Sequence, residues 1–194
     1  MGITEKSIAR IEKFVDFGKP DTMICELGAQ NIYIEGVWYG KVAKEYFEQY
    51  GYFVHHSYDI KVHQGCEFLD LREPLPPELI GKFDVVTDFG TTEHVEGNYY
   101  QACKNIHDLC KEGGLIIREN PKTGHWKGHG FNYLQMDFYK QVAWLAQYEI
   151  LDLCEEFAMG NTTDGANVCV VLRKVGDKPF IPEDLFKQIP VFSE

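Results

Sequence analysis

Basic residues are scarce in this 194-residue chain: 19 Lys and Arg stand against 30 Asp and Glu, a formal charge of −11. So acidic a chain repels phosphate backbones and anionic lipid, and no Lys/Arg cluster offsets the balance. Nucleic acid and membrane surfaces are therefore not expected as partners. Long apolar runs are also missing. No stretch approaches the roughly 18 apolar residues of a membrane span. The opening segment MGITEKSIARIEKF carries charges throughout, so it is not expected to act as a signal peptide. Gly2 is present, but Lys6 stands where a myristoylation motif wants Ser or Thr. The six cysteines (Cys25, Cys66, Cys103, Cys110, Cys154, Cys169) contain no CxxC pair or other metal-type spacing. They are expected to be buried, reduced thiols of a cytoplasmic protein. No GxGxxG turn occurs, which argues against a dinucleotide-binding enzyme.

What is present is an ordinary globular composition, 44% hydrophobic and 25% charged, at a length that suits one domain over residues 1–194. Residues 1–20 should supply an N-terminal helix, 22–174 the core and 175–194 an irregular, proline-containing tail. Thr4 can cap the first helix, which runs to Val15 with Ile8, Ile11 and Val15 on one face. Strands are expected at Thr22–Leu27, Tyr52–Tyr58, Cys66–Leu71, Phe83–Phe89 and Leu115–Glu119. Helices are expected at Gly40–Tyr50, Asn98–Lys111 and Asp137–Ala146, with Asp137 as the cap of the last. Tyr148–Phe157 and Asn167–Lys174 should pair as a closing hairpin.

Alternation of this kind builds a parallel sheet with helices on both faces, an α/β Rossmann-like architecture. Ligands of such sheets sit beyond the carboxyl ends of the strands, near the point where strand order reverses. Glu26, Gly28, Ala29 and Gln30 end the first strand, Asp59 the second, and Asp70 and Leu71 the third. Asp88, Phe89 and Gly90 end the fourth. Acids at successive strand ends suit a ligand with ribose and adenine, which needs acceptors at separated points.

The series ELG, the second-strand Asp59, FLDL, FDVVTDFGTTEHV and KEGGLIIRENP resembles a class I S-adenosylmethionine-dependent methyltransferase. It is most similar to the small-molecule, methyltransferase type 11-like branch, in which EHV follows the fourth strand and GG precedes the fifth. The resemblance runs from about Thr22 to Lys174. It implies a seven-stranded, mostly parallel sheet whose last strand is antiparallel, and S-adenosylmethionine as cofactor, with S-adenosylhomocysteine as product. It further implies that Glu26 and Gly28, with Ala29 and Gln30, border the methionine part. Asp59 would bind the ribose, Asp70 and Leu71 the adenine, and Asp88, Phe89 and Gly90 would line the cofactor. Gln30 and Ile32 stand where the family has further glycines. Only ten residues separate Asp59 from Asp70, too few for the usual helix, so the adenine side should be open.

Methyl transfer requires alignment of donor and acceptor and often removal of an acceptor proton. His129 is the first candidate base, and His125 and His94 are the others, with Glu93 beside His94. Trp126, Phe131, Asn132 and Tyr133 could wall an acceptor pocket. His94 alternatively holds its own loop through hydrogen bonds. His55 and His56 read as structural, His63 as a possible cofactor neighbour and His107 as a solvated helix residue. Glu93, His94 and a later histidine would supply mixed N/O ligands, as in the branch that uses a divalent ion. That branch carries an acid where this chain has Gly90, so no metal is expected. The sequence thus points to methyl transfer onto an oxygen or nitrogen of a small molecule. The alternative is a non-catalytic binding or assembly module on the same fold. The oligomeric state is left open.

Overall fold

The computed structural model describes residues 2–36, 39–50, 53–157 and 165–192. In chain order its elements begin with β1 (Ile3–Thr4), α1 (Glu5–Phe14), β2 (Thr22–Leu27), β3 (Ile32–Tyr33), α2 (Ala43–Glu48), β4 (Phe53–Asp59) and β5 (Glu67–Phe68). They continue with β6 (Phe83–Phe89), α3 (Tyr99–Leu109), β7 (Cys110–Pro121), α4 (Met136–Ala146), β8 (Tyr148–Phe157), β9 (Ala166–Lys174) and α5 (Glu183–Phe186). Short 3-10 turns lie at Pro77–Leu79 and Thr92–His94.

Local chemistry accounts for most of these boundaries. Thr4 caps α1 through a reciprocal box: its hydroxyl accepts from the Ser7 amide at 3.3 Å, and the Thr4 amide donates to Ser7 Oγ at 3.2 Å. Asn98 caps α3 by accepting from the Gln101 amide at 3.3 Å. Asp137 does not cap α4. That helix starts one residue earlier, behind Gln135, which makes no side-chain cap bond. Asp137 instead lies in the first turn, where a negative charge favours the helix dipole, and pairs with Lys140 at 2.8 Å.

Seven strands form one sheet in the order β5-β4-β2-β6-β7-β9-β8. The first five run parallel; β9, the last strand in the sequence, is antiparallel to both β7 and β8. Side chains alternate across this sheet and so feed two cores. Val85, Ile117 and Val171 pack with Ile8, Ile11 and Phe47 of α1 and α2. Their neighbours Val86, Ile116 and Val170 pack with Ile106, Phe138 and Val142 of α3 and α4. Helices therefore cover both faces. Arg10 pins α1 to the sheet by pairing with Glu119 and, at 2.7 Å, Glu156.

Several boundaries differ from the sequence reading. The third strand is only Glu67–Phe68, because the Arg72 amide donates to Asp70 Oδ1 at 2.9 Å and turns the chain away from the ladder. The helix expected from Gly40 begins at Ala43, and Gly51 and Tyr52 lie outside the described residues, as does most of the GNTTDGAN connection. The expected fifth strand extends to Cys110–Pro121. The tail is packed: Phe180, Ile181, Phe186 and Ile189 join the core beside α3 and α4, with one short helix among them. His107 is buried rather than solvated. Its Nδ1 accepts from the Tyr148 hydroxyl at 2.6 Å and its Nε2 donates to the Lys178 carbonyl at 2.8 Å. Burial pushes its pKa down to about 4.

Candidate active site

Strand order reverses between β2 and β6, and a cleft of about 430 Å³ opens there beyond the carboxyl ends of the strands. Gly28, Ala29 and Gln30 form one wall, Asp59 and Ile60 the next, and Leu69 to Arg72 a third. Gly90, Thr91, His94 and Phe131 close the far side.

The turn after β2 is built without a glycine-rich run. Gly28 has φ +76°, and a Cβ there would lie 2.4 Å from Thr91 Oγ1 and 2.6 Å from Gln30 Nε2. Only glycine fits. The Gly28 amide donates to the Tyr58 carbonyl at 2.7 Å, and the Ala29 amide to Asp59 Oδ2 at 3.2 Å. Gln30 donates its side-chain amide to Thr91 Oγ1 at 3.0 Å, and the Thr91 hydroxyl donates onward to the Leu27 carbonyl at 2.7 Å. Side-chain bonds thus close the turn where further glycines would otherwise have let the backbone fold tightly.

Glu26 does not border the cleft. It lies beneath the turn, 1% exposed, and its Oε1 accepts from the Gln30 amide at 3.2 Å. Burial raises its pKa to about 8, so at neutral pH it is an uncharged acid rather than a charge under the turn. His55, also buried, stands 3.8 Å from its Oε2. Asp59 reaches the cleft, with its Oδ1 accepting from the Lys61 amide at 2.9 Å and His63 Nε2 3.5 Å from Oδ2. Asp70 also lines it, but Arg72 grips its carboxylate through Nε and, at 2.6 Å, through an Nη. That guanidinium holds the Asp70 pKa below the usual carboxylate value.

Of the three residues expected to line the cofactor after β6, only Gly90 borders the cleft. Phe89 is in the core beneath α1 and α2. Asp88 is fully buried and saturated: Oδ1 accepts from the Thr91 and Thr92 amides, each at 3.1 Å. Its Oδ2 accepts from Thr92 Oγ1 at 2.6 Å, Arg118 Nε at 2.9 Å and Asn120 Nδ2 at 3.1 Å. Asp88 therefore shapes the loop that follows β6.

That loop carries Glu93 and His94 to meet the segment after β7. Glu93 is 1% exposed. Its Oε1 lies 3.7 Å from His94 Nε2 and 3.6 Å from His129 Nε2, and the two imidazoles meet edge to face at 4.8 Å. Tyr133 fixes the His129 backbone by accepting from the His129 amide at 2.8 Å and the Gly130 amide at 3.1 Å. The Glu93 carbonyl accepts from the Phe131 amide at 2.7 Å, so the two loops are stitched together. His94 is half exposed, and burial holds its pKa below the ordinary histidine value. His125 is not brought to this group. It packs against Phe157, and its Nδ1 accepts from the Ala166 amide at 3.4 Å. Trp126 bonds Asn167 Oδ1 at 2.9 Å, so of the four expected wall residues only Phe131 borders the cleft.

Sequence reasoning did not single out Thr91, Arg72, Arg118 or Asn120. Thr91 follows Gly90 directly, and the strand-end rule extended by one residue finds it. Arg118 and Asn120 interrupt the apolar run LIIREN, and a polar residue inside a central strand is the available signal.

The fold is that of the class I S-adenosylmethionine-dependent methyltransferases. A Burkholderia thailandensis 1,6-didemethyltoxoflavin-N1-methyltransferase, solved with 1,6-didemethyltoxoflavin and S-adenosylhomocysteine, is 15% identical with a TM-score of 0.61, over 89% of this chain and 78% of its own. The N-methyltransferase NodS of Bradyrhizobium japonicum, solved with S-adenosylhomocysteine, is 10% identical with a TM-score of 0.58, over 88% of each chain. A candidate zinc-dependent alcohol dehydrogenase of Rhodobacter sphaeroides is 8% identical with a TM-score of 0.58, over 89% and 90%. No family model and no curated protein matches the chain in sequence. Among the described residues no helix is long and apolar enough to cross a membrane.

Proposed function

We propose that the protein transfers a methyl group from S-adenosylmethionine to an oxygen or nitrogen atom of a small molecule. The observation that carries this reading is one cleft at the switch point that joins a ribose-type acceptor, Asp59, to the end of the sheet bearing His94.

The residues present fit the cofactor. A carboxylate offers about four lone-pair positions. Asp59 spends two of them on the Ala29 and Lys61 amides, which leaves acceptors for ribose hydroxyls. Leu69 and Leu71 offer buried apolar surface to a flat base. Asp70 can accept from an exocyclic amine once Arg72 yields, and an exposed ion pair of that kind holds weakly. When bound, S-adenosylmethionine supplies an electrophilic methyl carbon on a sulfonium and leaves as S-adenosylhomocysteine. The chain's part is to orient the acceptor on the His94 side, exclude water with Phe131, and assist loss of the acceptor proton there.

Calorimetry with S-adenosylmethionine and S-adenosylhomocysteine tests the reading, and a micromolar Kd, about −7 to −8 kcal/mol, is expected. Methyl transfer is then followed with radiolabelled donor against hydroxylated and amine acceptors. A non-catalytic module is the second reading, favoured by the Arg72 grip on Asp70. A protein that binds neither molecule at about 1 mM belongs to that reading.

A further inference from the structure

We propose that Glu93, His94 and His129 hold one divalent transition-metal ion at the acceptor end of the cleft. The Glu93 Oε1 distances to His129 Nε2 and His94 Nε2, 3.6 and 3.7 Å, are too long for hydrogen bonds. They are close to the separation of two ligands of a single ion. At metal–ligand bonds of about 2.0–2.2 Å and tetrahedral angles, neighbouring ligand atoms stand about 3.4 Å apart. All three ligand atoms lie within 4.8 Å of one another.

Two of these atoms are otherwise unaccounted for. Glu93 Oε1 and His129 Nε2 are buried, and neither has a hydrogen-bond partner among the described residues. Folded proteins pair nearly all such atoms. Glu93 is nevertheless held in place from behind. Asn120 Nδ2 stands 3.4 Å from Glu93 Oε2, and Asn120 Oδ1 accepts from the Tyr139 hydroxyl at 2.5 Å. Gly130 lies flush on the Glu93 backbone, where a Cβ would come within 2.8 Å of the Glu93 carbonyl oxygen. Support of this kind orients metal ligands through the atoms they do not use.

Two imidazoles and one carboxylate suit zinc, manganese, iron, cobalt or nickel, whereas magnesium and calcium prefer oxygen alone. Three protein ligands leave a position free, as in catalytic sites. Because His94 also lines the cleft, an acceptor oxygen or nitrogen can take that position and lose its proton more readily. This role rests on the methyl-transfer reading; binding of the ion does not. The sequence offers Glu93, His94 and some later histidine; the fold selects His129, which comes from beyond β7.

The test is calorimetry of the untagged, metal-stripped full chain with Zn²⁺, Mn²⁺ and Co²⁺ salts, with visible absorption of the Co²⁺ form. One ion per chain is expected. Glu93→Gln and His129→Ala should each weaken binding by more than about 100-fold, and Asn120→Ser by about 10-fold. His94 is half exposed, so His94→Ala should fold normally and still weaken the ion, which keeps the test valid if a buried variant unfolds. Absence of stoichiometric binding at about 1 mM of all three ions, or binding unchanged in His94→Ala, overturns the proposal. S-adenosylmethionine titrated into the same preparations separates the two readings. Cofactor binding without the ion removes the metal alone, and the ion without cofactor binding removes methyl transfer alone.

Discussion

Arg118 Nε donates to Asp88 Oδ2 at 2.9 Å, and both side chains are buried. The pair sits under the 3-10 turn that presents Glu93, and Asp88 also accepts both amides that begin that turn. Asp88→Ala would leave a buried guanidinium uncompensated and should cost about 3–5 kcal/mol of stability. Urea unfolding of the parent and variant measures this. A loss under about 1 kcal/mol would mean that Arg118 finds water or another acceptor.

Gly28→Ala places a methyl group against Thr91 in a left-handed backbone conformation. It should destabilise the fold by more than about 1 kcal/mol and weaken S-adenosylmethionine binding at least about tenfold. Calorimetry and thermal melts read the two effects separately. Parent-like values in both would show that the turn after β2 is slack.

Asp59→Ala should weaken S-adenosylmethionine by roughly 1.5–3 kcal/mol, the worth of charge-assisted bonds to ribose hydroxyls. Asp70→Ala should do less, because Arg72 competes for that carboxylate. The opposite ranking in a Kd series would move the ribose to the Asp70 side.

His129→Ala should lower turnover by roughly 10² to 10⁴ while leaving cofactor affinity nearly unchanged. His125→Ala is the control. Its imidazole is committed to the Ala166 amide and the Phe157 ring, so its rate should stay near that of the parent. A slow His125→Ala beside an active His129→Ala would reverse the assignment.

Stability should depend on pH through Glu26. Its carboxyl titrates at about 8 in the fold against an ordinary 4.5, because burial disfavours the charge; Asp59 adds to the shift and Lys44 opposes it. Between these values the unfolded chain has released the proton and the folded chain keeps it, so stability falls as pH rises through that window. His55, pushed down to about 3 by burial, acts in the other direction and weakens the fold as pH drops below 6.5. Glu26→Gln keeps an acceptor for the Gln30 amide and removes the proton. Its Tm should therefore decline less than the parent's between about pH 6.5 and about pH 8. Parallel curves would show that Glu26 is ionised in the fold.

The sheet was legible because strands such as FDVVTDF are short runs with β-branched residues, buried almost throughout as a central strand is, and the capped starts of α1 and α3 because their side chains act over a few residues. The short third strand was not, since the turn at Asp70 depends on where one carboxylate folds back. His107 read as solvated because the tail that buries it is distant in sequence. At the cleft, the strand-end rule located Gly28, Asp59 and Gly90 at the lip. It overreached at Glu26 and Asp88, which remain inside their ladders and project into the interior. The meeting of Glu93 with His129 is purely tertiary, and no spacing rule reaches across β7.

The position of β9 between β7 and β8 orders the assembly of the chain during synthesis. β8 is made first but has no neighbour in the sheet until β9 arrives, so the two must join β7 together. Until then β7 presents an open row of amides and carbonyls flanked by apolar side chains, the kind of edge that templates pairing between molecules. A nascent chain stalled before residue 166 would carry that edge into the cell, and fragments ending there should aggregate rather than persist as a smaller folded protein.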